Sequence, residues 1–548
     1  MKIVTVEEMI AIEAEADAAG VSYEQLMETA GKRTAEAIME RLDVEGKGIF
    51  VLVGPGNNGG DGLVAGRYLA EAGANVAFYL LQSRNPEEDA NFAKIQQMGL
   101  MAIEFGFDHQ LRVLRHRLPI TDVVIDALLG TGNTRSIEGD LAKLLRQVRA
   151  GLSATEKKRG EEATQPLTSV YQSNNIAKPQ GNDVTSRSRR PLVVAVDCPS
   201  GMNCNSGTLD PVTIPADLTV TYGMPKRGHF LFPAAEACGE LVVADIGIAA
   251  NLTEVRSVAV EVATSEMVRG LLPKRPLNGH KGTFGKVAIA AGSAQYRGAP
   301  LLAARGAFRA GSGLVSLWIP QTLRDLATGY LPEATYPRIE ANERLDEQTA
   351  HALLEQIEQY KSILVGPGLG EATEFLLTLL EGIKRAEQHP PLILDADALN
   401  ILAKQPDWPE LLPSNSVLTP HPAEMARLMG ISLAEIKMEN RIELAQSCAR
   451  KWGHIVLLKG AHTIIASPKK KAHILPFANP LLAVGGSGDV LSGVIASLLG
   501  QGVGRMDAAI LGSYLHAATA SLSNPPVGLL ASDIADLIPQ AVQSLISS

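Results

Sequence analysis

The apolar run Ile49–Val53 stops abruptly at Gly-Pro-Gly-Asn-Asn-Gly-Gly-Asp-Gly, residues 54–62. So short a run, bounded by turn residues, reads as a buried strand. Gly54–Gly62 then reads as a turn, Leu63–Glu71 as a helix and Asn75–Leu81 as the next strand. Strand, glycine-rich loop, helix and strand form the unit of a parallel, doubly wound sheet, so the fold class is α/β. Two further runs end in acids. Asp122–Ile125 leads into Asp126 and Gly130-Thr-Gly132, and Leu192–Val196 leads into Asp197 and Pro199-Ser-Gly201. Loops after the C-terminal ends of parallel strands open onto one sheet edge, where such folds place ligands.

The pattern changes around Asn251–Pro276, which marks a domain junction: residues 1–250 and 255–548 read as two α/β domains. The second half restarts with the strand Lys286–Ala291 and Gly292-Ser293. It continues with Ile363–Val365 and Gly366-Pro-Gly-Leu-Gly370, then Leu392–Leu394 with Asp395 and Asp397. Ser416–Leu418 leads into Thr419-Pro-His-Pro422, and Ile455–Leu458 into Lys459-Gly460. Between the acid-ended strands of the first half, residues from about 151 to 190 are polar and basic with little apolar periodicity. They read as a mostly disordered surface insertion.

The net charge of -9 argues against a nucleic-acid partner, because an acidic surface repels phosphate backbones. An anionic ligand must then be held by local amides and a few lysines. Four cysteines without a C-x-x-C pair imply a reducing compartment, read as cytoplasmic. The N-terminus alternates acidic and apolar residues and lacks a signal-peptide pattern. The most apolar late stretch, 481–499, is broken by Gly485, Gly486, Gly488 and Asp489, so no membrane span is expected.

The string Asn479–Gly500 carries the strongest chemistry. Glycines 485, 486 and 488 permit a turn whose N–H groups point one way, and Ser487 lies among them. With the helix N-terminus that follows, they form a pocket for a phosphate or a moving phosphoryl group. Asp489 beside that pocket suits a general base taking a proton from an attacking hydroxyl, worth roughly 10²- to 10⁴-fold in rate. The bland alternative makes Asp489 a helix N-cap.

The string resembles the anion-hole-plus-aspartate motif of the ribokinase-like superfamily. With NGHKGTFGKVAIAAGS, LVGPGLG, DADALN, LTPHPAEM, LLKGAHT and GLLASD in order, residues 278–533 resemble the NAD(P)H-hydrate dehydratase family. The resemblance implies a ribokinase-like α/β/α domain. It implies a nucleotide, ADP or ATP with Mg2+, held by Lys459, Gly460, Ala461, His462, Thr463, Asn479, Gly485, Gly486, Ser487 and Gly488. The hydrated dinucleotide would lie near Ala299, Gly370, His421 and Asp489. Each residue also has a plainer reading: His421 as a backbone cap, Lys459 as a solvated strand end, Lys281 as a surface lysine. Asp395 and Asp397 read as turn acids or as acids related to magnesium.

The early loop Gly54–Gly62 is neither a Walker loop nor G-x-G-x-x-G. Asn57 and Asn58 offer amide oxygens, and Asp126 and Ser200 add oxygens from two other strand ends, a set that suits a hard cation better than zinc. Equally, the asparagines could only shape the turn. GVSYEQLMETAGKR, GPGNNGGDGLVAGRYL, DALLGTG, VDCPSGM and ADLTVTYGMPKRGHFLFP, in order, resemble the NAD(P)H-hydrate epimerase family over residues 1–248. This implies a Rossmann-like α/β/α sandwich. It implies potassium at Asn58, Asp126 and Ser200, and substrate along Asn57, Asn58, Gly59, Gly60 and Asp61. Substrate would also touch Gly130, Thr131, Gly132, Asn133, Thr134, Arg135, Ser136 and Asp197. Asp197 is the acid expected to transfer a proton at the epimerised centre.

Together these resemblances imply repair of hydrated NADH and NADPH: one half interconverts the epimers and the other dehydrates one of them at the expense of ADP or ATP. Relatives imply a homo-oligomer. Two other readings stand beside this one. One is a hydroxyl kinase with an accessory nucleotide-binding domain; the other is a non-catalytic nucleotide sensor, against which the intact acids argue.

Overall fold

The structure, a computed structural model, describes residues 1–133, 135–159, 170–172, 190–436, 440–469, 471–523 and 527–547. The chain divides into two compact units, Met1–Ala259 and Val260–Ser548.

The first unit is built on β1 (Gly48–Val53), β2 (Asn75–Leu80), β3 (Met101–Glu104), β4 (Val123–Ala127), β5 (Val170–Gln172), β6 (Leu192–Val196), β7 (Leu218–Tyr222) and β8 (Glu240–Ala244). They lie in the order β3-β2-β1-β4-β6-β7-β8-β5, and every pairing is parallel. The order reverses between β1 and β4, which opens a crevice at their C-terminal ends. Register sets Leu52 beside Asp126 and Asp126 beside Ala195, so the three strands end level. Ile49, Val51 and Val53 join one core with Leu63 and Phe78, while Phe50 and Leu52 join another with Leu145 and Val148. Burial on both faces is why the run carries no polar alternation.

One expectation changes. The helix after β1 spans Asn57–Glu71, so only 54–56 remain as turn. Glycine costs about 1 kcal/mol per helical position relative to alanine. Here close packing makes it necessary: a Cβ on Gly62 would stand 2.4 Å from Ala127 Cβ, and one on Gly59 would stand 2.1 Å from Gly54 O. At the margins of the insertion the described residues carry structure. Helix Gly139–Arg159 runs through its first residues, anchored by Leu145, Val148 and Leu152 in the core. Val170–Gln172 adds an edge strand beside Leu241–Val243. Residues 160–169 and 173–189 lie outside the described residues.

The second unit holds β9 (Val260–Val262), β10 (Lys286–Ala290), β11 (Leu314–Trp318), β12 (Ser362–Val365), β13 (Leu392–Leu394), β14 (Val417–Leu418), β15 (Ile455–Leu458), β16 (Ile464–Ala466) and β17 (Ala472–Ile474). Their order is β9-β17-β16-β15-β14-β13-β12-β10-β11, parallel except where β16 runs against both neighbours. Helix Ser487–Gly500 is buried from Val490 onward between helices Ala299–Arg309 and Arg505–Leu522. A helix apolar on all sides belongs in a core. Among the described residues no helix is long and apolar enough to cross a membrane.

Candidate active sites

In the first unit, the β1, β4 and β6 loops bring Asn58, Asp126 and Ser200 into one network around the Leu129 backbone. Asn58 Nδ2 donates to Leu129 O at 3.0 Å, and Leu129 N–H donates to Ser200 Oγ at 2.9 Å. Ser200 donates to both Asp126 oxygens, from Oγ at 2.6 Å and from N–H at 2.9 Å. Asp126 is 1% exposed. Burial raises its pKa, and only hydrogen bonds from Ser200 and Leu128 oppose the shift; no basic group does. A buried carboxylate with amide, hydroxyl and carbonyl oxygens around it fits a hard monovalent cation.

Asp197 ends β6 in a left-handed conformation (φ 63°) and is buried. Its Oδ1 accepts from Lys226 Nζ and, at 2.8 Å, from Thr221 Oγ1. Burial pushes its pKa up, but Lys226 and Thr221 outweigh burial and hold it below the ordinary carboxylate range. His229 Nδ1 accepts the Lys226 N–H at 3.0 Å, so Nε2 carries the proton and donates to Asp197 O at 3.1 Å. Burial, then Lys226, lower the His229 pKa to about 3. Asp61, on the first turns of Asn57–Glu71, is pushed the other way. Burial, Asp197 and Glu13 raise it well above a normal carboxyl. Burial and the Lys226 ion pair thus push these two carboxyls in opposite directions, the kind of division acid–base chemistry uses.

Of the other expected contacts, Asn57 is exposed and Gly60 packs under Met27 Sδ. Gly130 lies against Asn58, Thr131 and Asn133 are half-buried, and Gly132, Arg135 and Ser136 are exposed. Thr134 lies outside the described residues. Sequence reasoning missed Lys226, Glu13 and Arg84. Arg84 Nη2 donates to Gly54 O at 2.6 Å and Gly56 O at 3.0 Å, fixing the turn.

In the second unit, the ends of β12 to β15 converge on the helix that carries Asp489. Asp489 occupies the third position of Ser487–Gly500, whose N-cap is Gly486, so it is not an N-cap. Among the described residues its carboxylate takes no hydrogen bond. Burial first, then Asp395, push its pKa to about 7 against the pull of Lys459. Lys459 Nζ donates to Asp395 Oδ1 at 2.8 Å, stands 3.8 Å from Glu424 Oε2, and lies beside Gly488. Thr419 Oγ1 also donates to Asp395 Oδ1, at 2.7 Å. Burial lowers the Lys459 pKa, yet Asp395 and Glu424 outweigh it and raise the net value.

His421 does cap a helix. Its Nδ1 accepts Ala423 N–H at 3.1 Å and Glu424 N–H at 3.3 Å at the start of Pro422–Met429. That fixes the proton on Nε2, which faces Glu424 Oε1 at 3.3 Å, so the cap also aims the ring into the cluster. Gly370 N–H donates to Asp397 Oδ2 at 2.9 Å, and Ala299 lies against Gly368 of the same loop. Ser487 Oγ meets the buried His516 Nε2 at 3.0 Å, behind the loop. Asn479 caps its own turn through Leu481 N–H at 3.0 Å, Gly485 has open space around it, and Lys281 is exposed. Glu424, His516 and Arg441 were not found from sequence.

The first unit matches the family model described as YjeF-related protein N-terminus over residues 23–228, and the second matches NAD(P)H-hydrate dehydratase over 287–540. A bifunctional NAD(P)H-hydrate repair enzyme from Thermofilum pendens is 34% identical, with 100% of this chain and 97% of the relative covered. The chain belongs to the bifunctional NAD(P)H-hydrate repair enzyme family. Its Moorella thermoacetica relative is 35% identical, with 95% of this chain and 92% of the relative covered. A solved Bacillus subtilis ADP/ATP-dependent NAD(P)H-hydrate dehydratase, co-crystallised with ATP and Mg2+, is 33% identical. It covers 53% of this chain and 100% of its own, with a TM-score of 0.46. Family membership spans both units.

Proposed function

We propose that the first unit, residues 1–250, interconverts the R and S forms of hydrated NADH and NADPH. The second, residues 255–548, dehydrates the S form, using ADP or ATP. The observation that carries this reading is that the full-length family match coincides with two separate acid clusters, each at the strand ends of its own α/β unit.

In the first unit Asp197, ion-paired with Lys226, accepts a proton at the hydrated ring carbon, and Asp61, whose carboxyl burial pushes toward its protonated form, returns one. Asn58, Asp126, Ser200 and the Leu129 carbonyl are suited to potassium, which would neutralise the buried carboxylate and hold the loop closed. In the second unit, the Asp489 carboxylate takes the proton of the ring hydroxyl while that oxygen attacks the terminal phosphoryl group. The bond from that phosphorus to the nucleotide breaks, releasing AMP or ADP. The ring carbon then loses phosphate, and the adjacent carbon loses a proton, restoring the dihydropyridine. Helix Ser487–Gly500 presents its N-terminal amides to the phosphoryl group. Asp395 is engaged by Lys459 and Thr419, and no cluster of acids, histidines or cysteines suited to a metal occurs among the described residues. Mg2+ therefore fits as an ion carried by the nucleotide phosphates, whose charge it screens. We also infer a cytoplasmic homo-oligomer.

The test incubates the full chain with mixed hydrate epimers and each nucleotide. Recovery of reduced-nicotinamide absorbance together with orthophosphate supports the reading. A stable phosphorylated product instead would make this a hydroxyl kinase.

A further inference from the structure

Arg441, at the start of helix Arg441–Trp452, is 2% exposed. Its guanidinium donates to three carbonyls around one turn: Ala461 O at 2.8 Å, Lys459 O at 3.1 Å and Leu458 O, at the strand end, at 3.4 Å. Among the described residues no carboxylate pairs with it, and its Nε is buried without a partner. Burial alone lowers its pKa to about 10. Its neighbour Lys459 differs, being held by Asp395 and Glu424. A buried cation with no counter-ion costs several kcal/mol, so its retention calls for an explanation.

The loop supplies one. Arg441's hold on the Lys459 carbonyl turns the Gly460 N–H of the same peptide outward, and the next amide, Ala461 N–H, lies opposite the Gly460 carbonyl, which accepts from Thr463 Oγ1 at 2.9 Å. Among the described residues the Gly460 and Ala461 N–H groups make no hydrogen bond, and both residues are exposed. Gly460 sits at φ 143°, and a Cβ there would stand 2.7 Å from Arg441 Nη2. Only glycine lets the chain lie so close over the guanidinium. Two outward amides above a buried positive charge form an anion-binding concavity.

We propose that Arg441 is the positioning residue of the nucleotide site: its guanidinium holds loop 459–463 so that the Gly460 and Ala461 amides receive a phosphate of ADP or ATP, whose charge balances its own. This rests on the reading of the second unit as a nucleotide-dependent dehydratase. A lysine keeps the charge but cannot fork to three carbonyls.

The full chain and its variants Arg441→Gln, Arg441→Lys and Gly460→Ala are titrated with ADP and with ATP by calorimetry. Both KM values of the dehydratase are measured, with the thermal unfolding transition of the second unit in the absence of nucleotide as the control of its folding. The expected result is at least a tenfold weaker nucleotide Kd in all three variants. The KM for the hydrated dinucleotide should stay within twofold, and the rise in Tm on adding nucleotide should be lost. Wild-type nucleotide affinity in folded Arg441→Gln overturns the proposal, as does an equal rise in both KM values. If Arg441→Gln does not fold, Gly460→Ala decides by the same two criteria. Failure of the wild type itself to bind either nucleotide overturns the site reading and the proposal together, and is distinct from failure of Arg441 alone.

Discussion

Lys226 Nζ and Asp197 Oδ1 form an ion pair in the first unit in which the lysine is only 1% exposed. Thr221 Oγ1 accepts from the same ammonium at 3.0 Å, and the His229 ring bridges the two backbones. Paired in this way, Asp197 stays ionised despite burial.

Removing only one partner leaves a bare buried charge. Lys226→Met is expected to destabilise the first unit by about 3–5 kcal/mol and to abolish epimerisation, since the carboxyl then takes up a proton. Lys226→Met combined with Asp197→Asn should recover much of the stability but none of the activity. Denaturant unfolding followed in the first unit, alongside an epimer-interconversion assay, checks both. Because the folded Asp197 pKa is depressed, its contribution to stability is present above the unfolded value and is lost as pH falls through the folded one. An additive double variant would show that the two residues do not act as a pair.

Asp489 makes a prediction with the opposite sign. Its pKa of about 7 means that the base becomes active as pH rises through neutrality. The logarithm of dehydratase kcat/KM should climb with unit slope below pH 7 and level off above it. Asp489→Asn should lower kcat/KM by roughly 10²- to 10⁴-fold, with epimerase activity intact. From about pH 4 to 7 the folded state holds a proton that the unfolded state has released, so this group costs stability as pH rises. The asparagine variant should therefore melt at a higher temperature than wild type at pH 8. A pH-independent kcat/KM, or a variant that melts lower at pH 8, would count against Asp489 as the raised, buried base.

Much of both sites was legible in the sequence, because short apolar runs ending in Gly, Asp or Ser place those residues at strand ends by topology alone. Asn58, Asp126 and Ser200 lie in three separate runs, yet parallel pairing in level register leaves them no other edge. What escaped are the partners. Lys226 sits in an apolar, glycine-containing string that resembles a core turn, and nothing local says that its ammonium reaches across to Asp197. Glu424 and Arg441 read as ordinary first-turn helix residues; only the tertiary fold buries them beneath His421 and Lys459. The first residues of the insertion are a related case. Its composition is polar, but the helix entering it is fastened by core residues upstream.

Glycines in the Asn57 helix separate packing from conformational roles. Gly62→Ala would force a Cβ to 2.4 Å from Ala127, on the strand that carries Asp126. A cost of about 1–3 kcal/mol is expected from overpacking, with loss of epimerase activity as the helix lifts. Gly56→Ala, with nothing within 4 Å of its Cβ, should change stability by less than about 0.5 kcal/mol. Equal effects at both positions, measured by thermal unfolding, would mean that backbone flexibility rather than close approach governs this segment.

The cation reading of the first unit makes the last prediction. Asp126 is buried, has no basic partner among the described residues, and has its oxygens bridged by Ser200. Such a carboxylate must hold either a proton or a cation, and the Asn58, Ser200 and Leu129 oxygens favour the cation. Epimerase activity should therefore require potassium and fall when choline replaces it at equal ionic strength. Ser200→Ala removes one oxygen and one hydrogen bond to the carboxylate, so the potassium concentration for half-maximal activity should rise at least tenfold. Asp126→Asn needs no counter-charge, and its residual activity should be independent of potassium. Full wild-type activity in choline, with Ser200→Ala no different, would place a proton rather than a cation on Asp126.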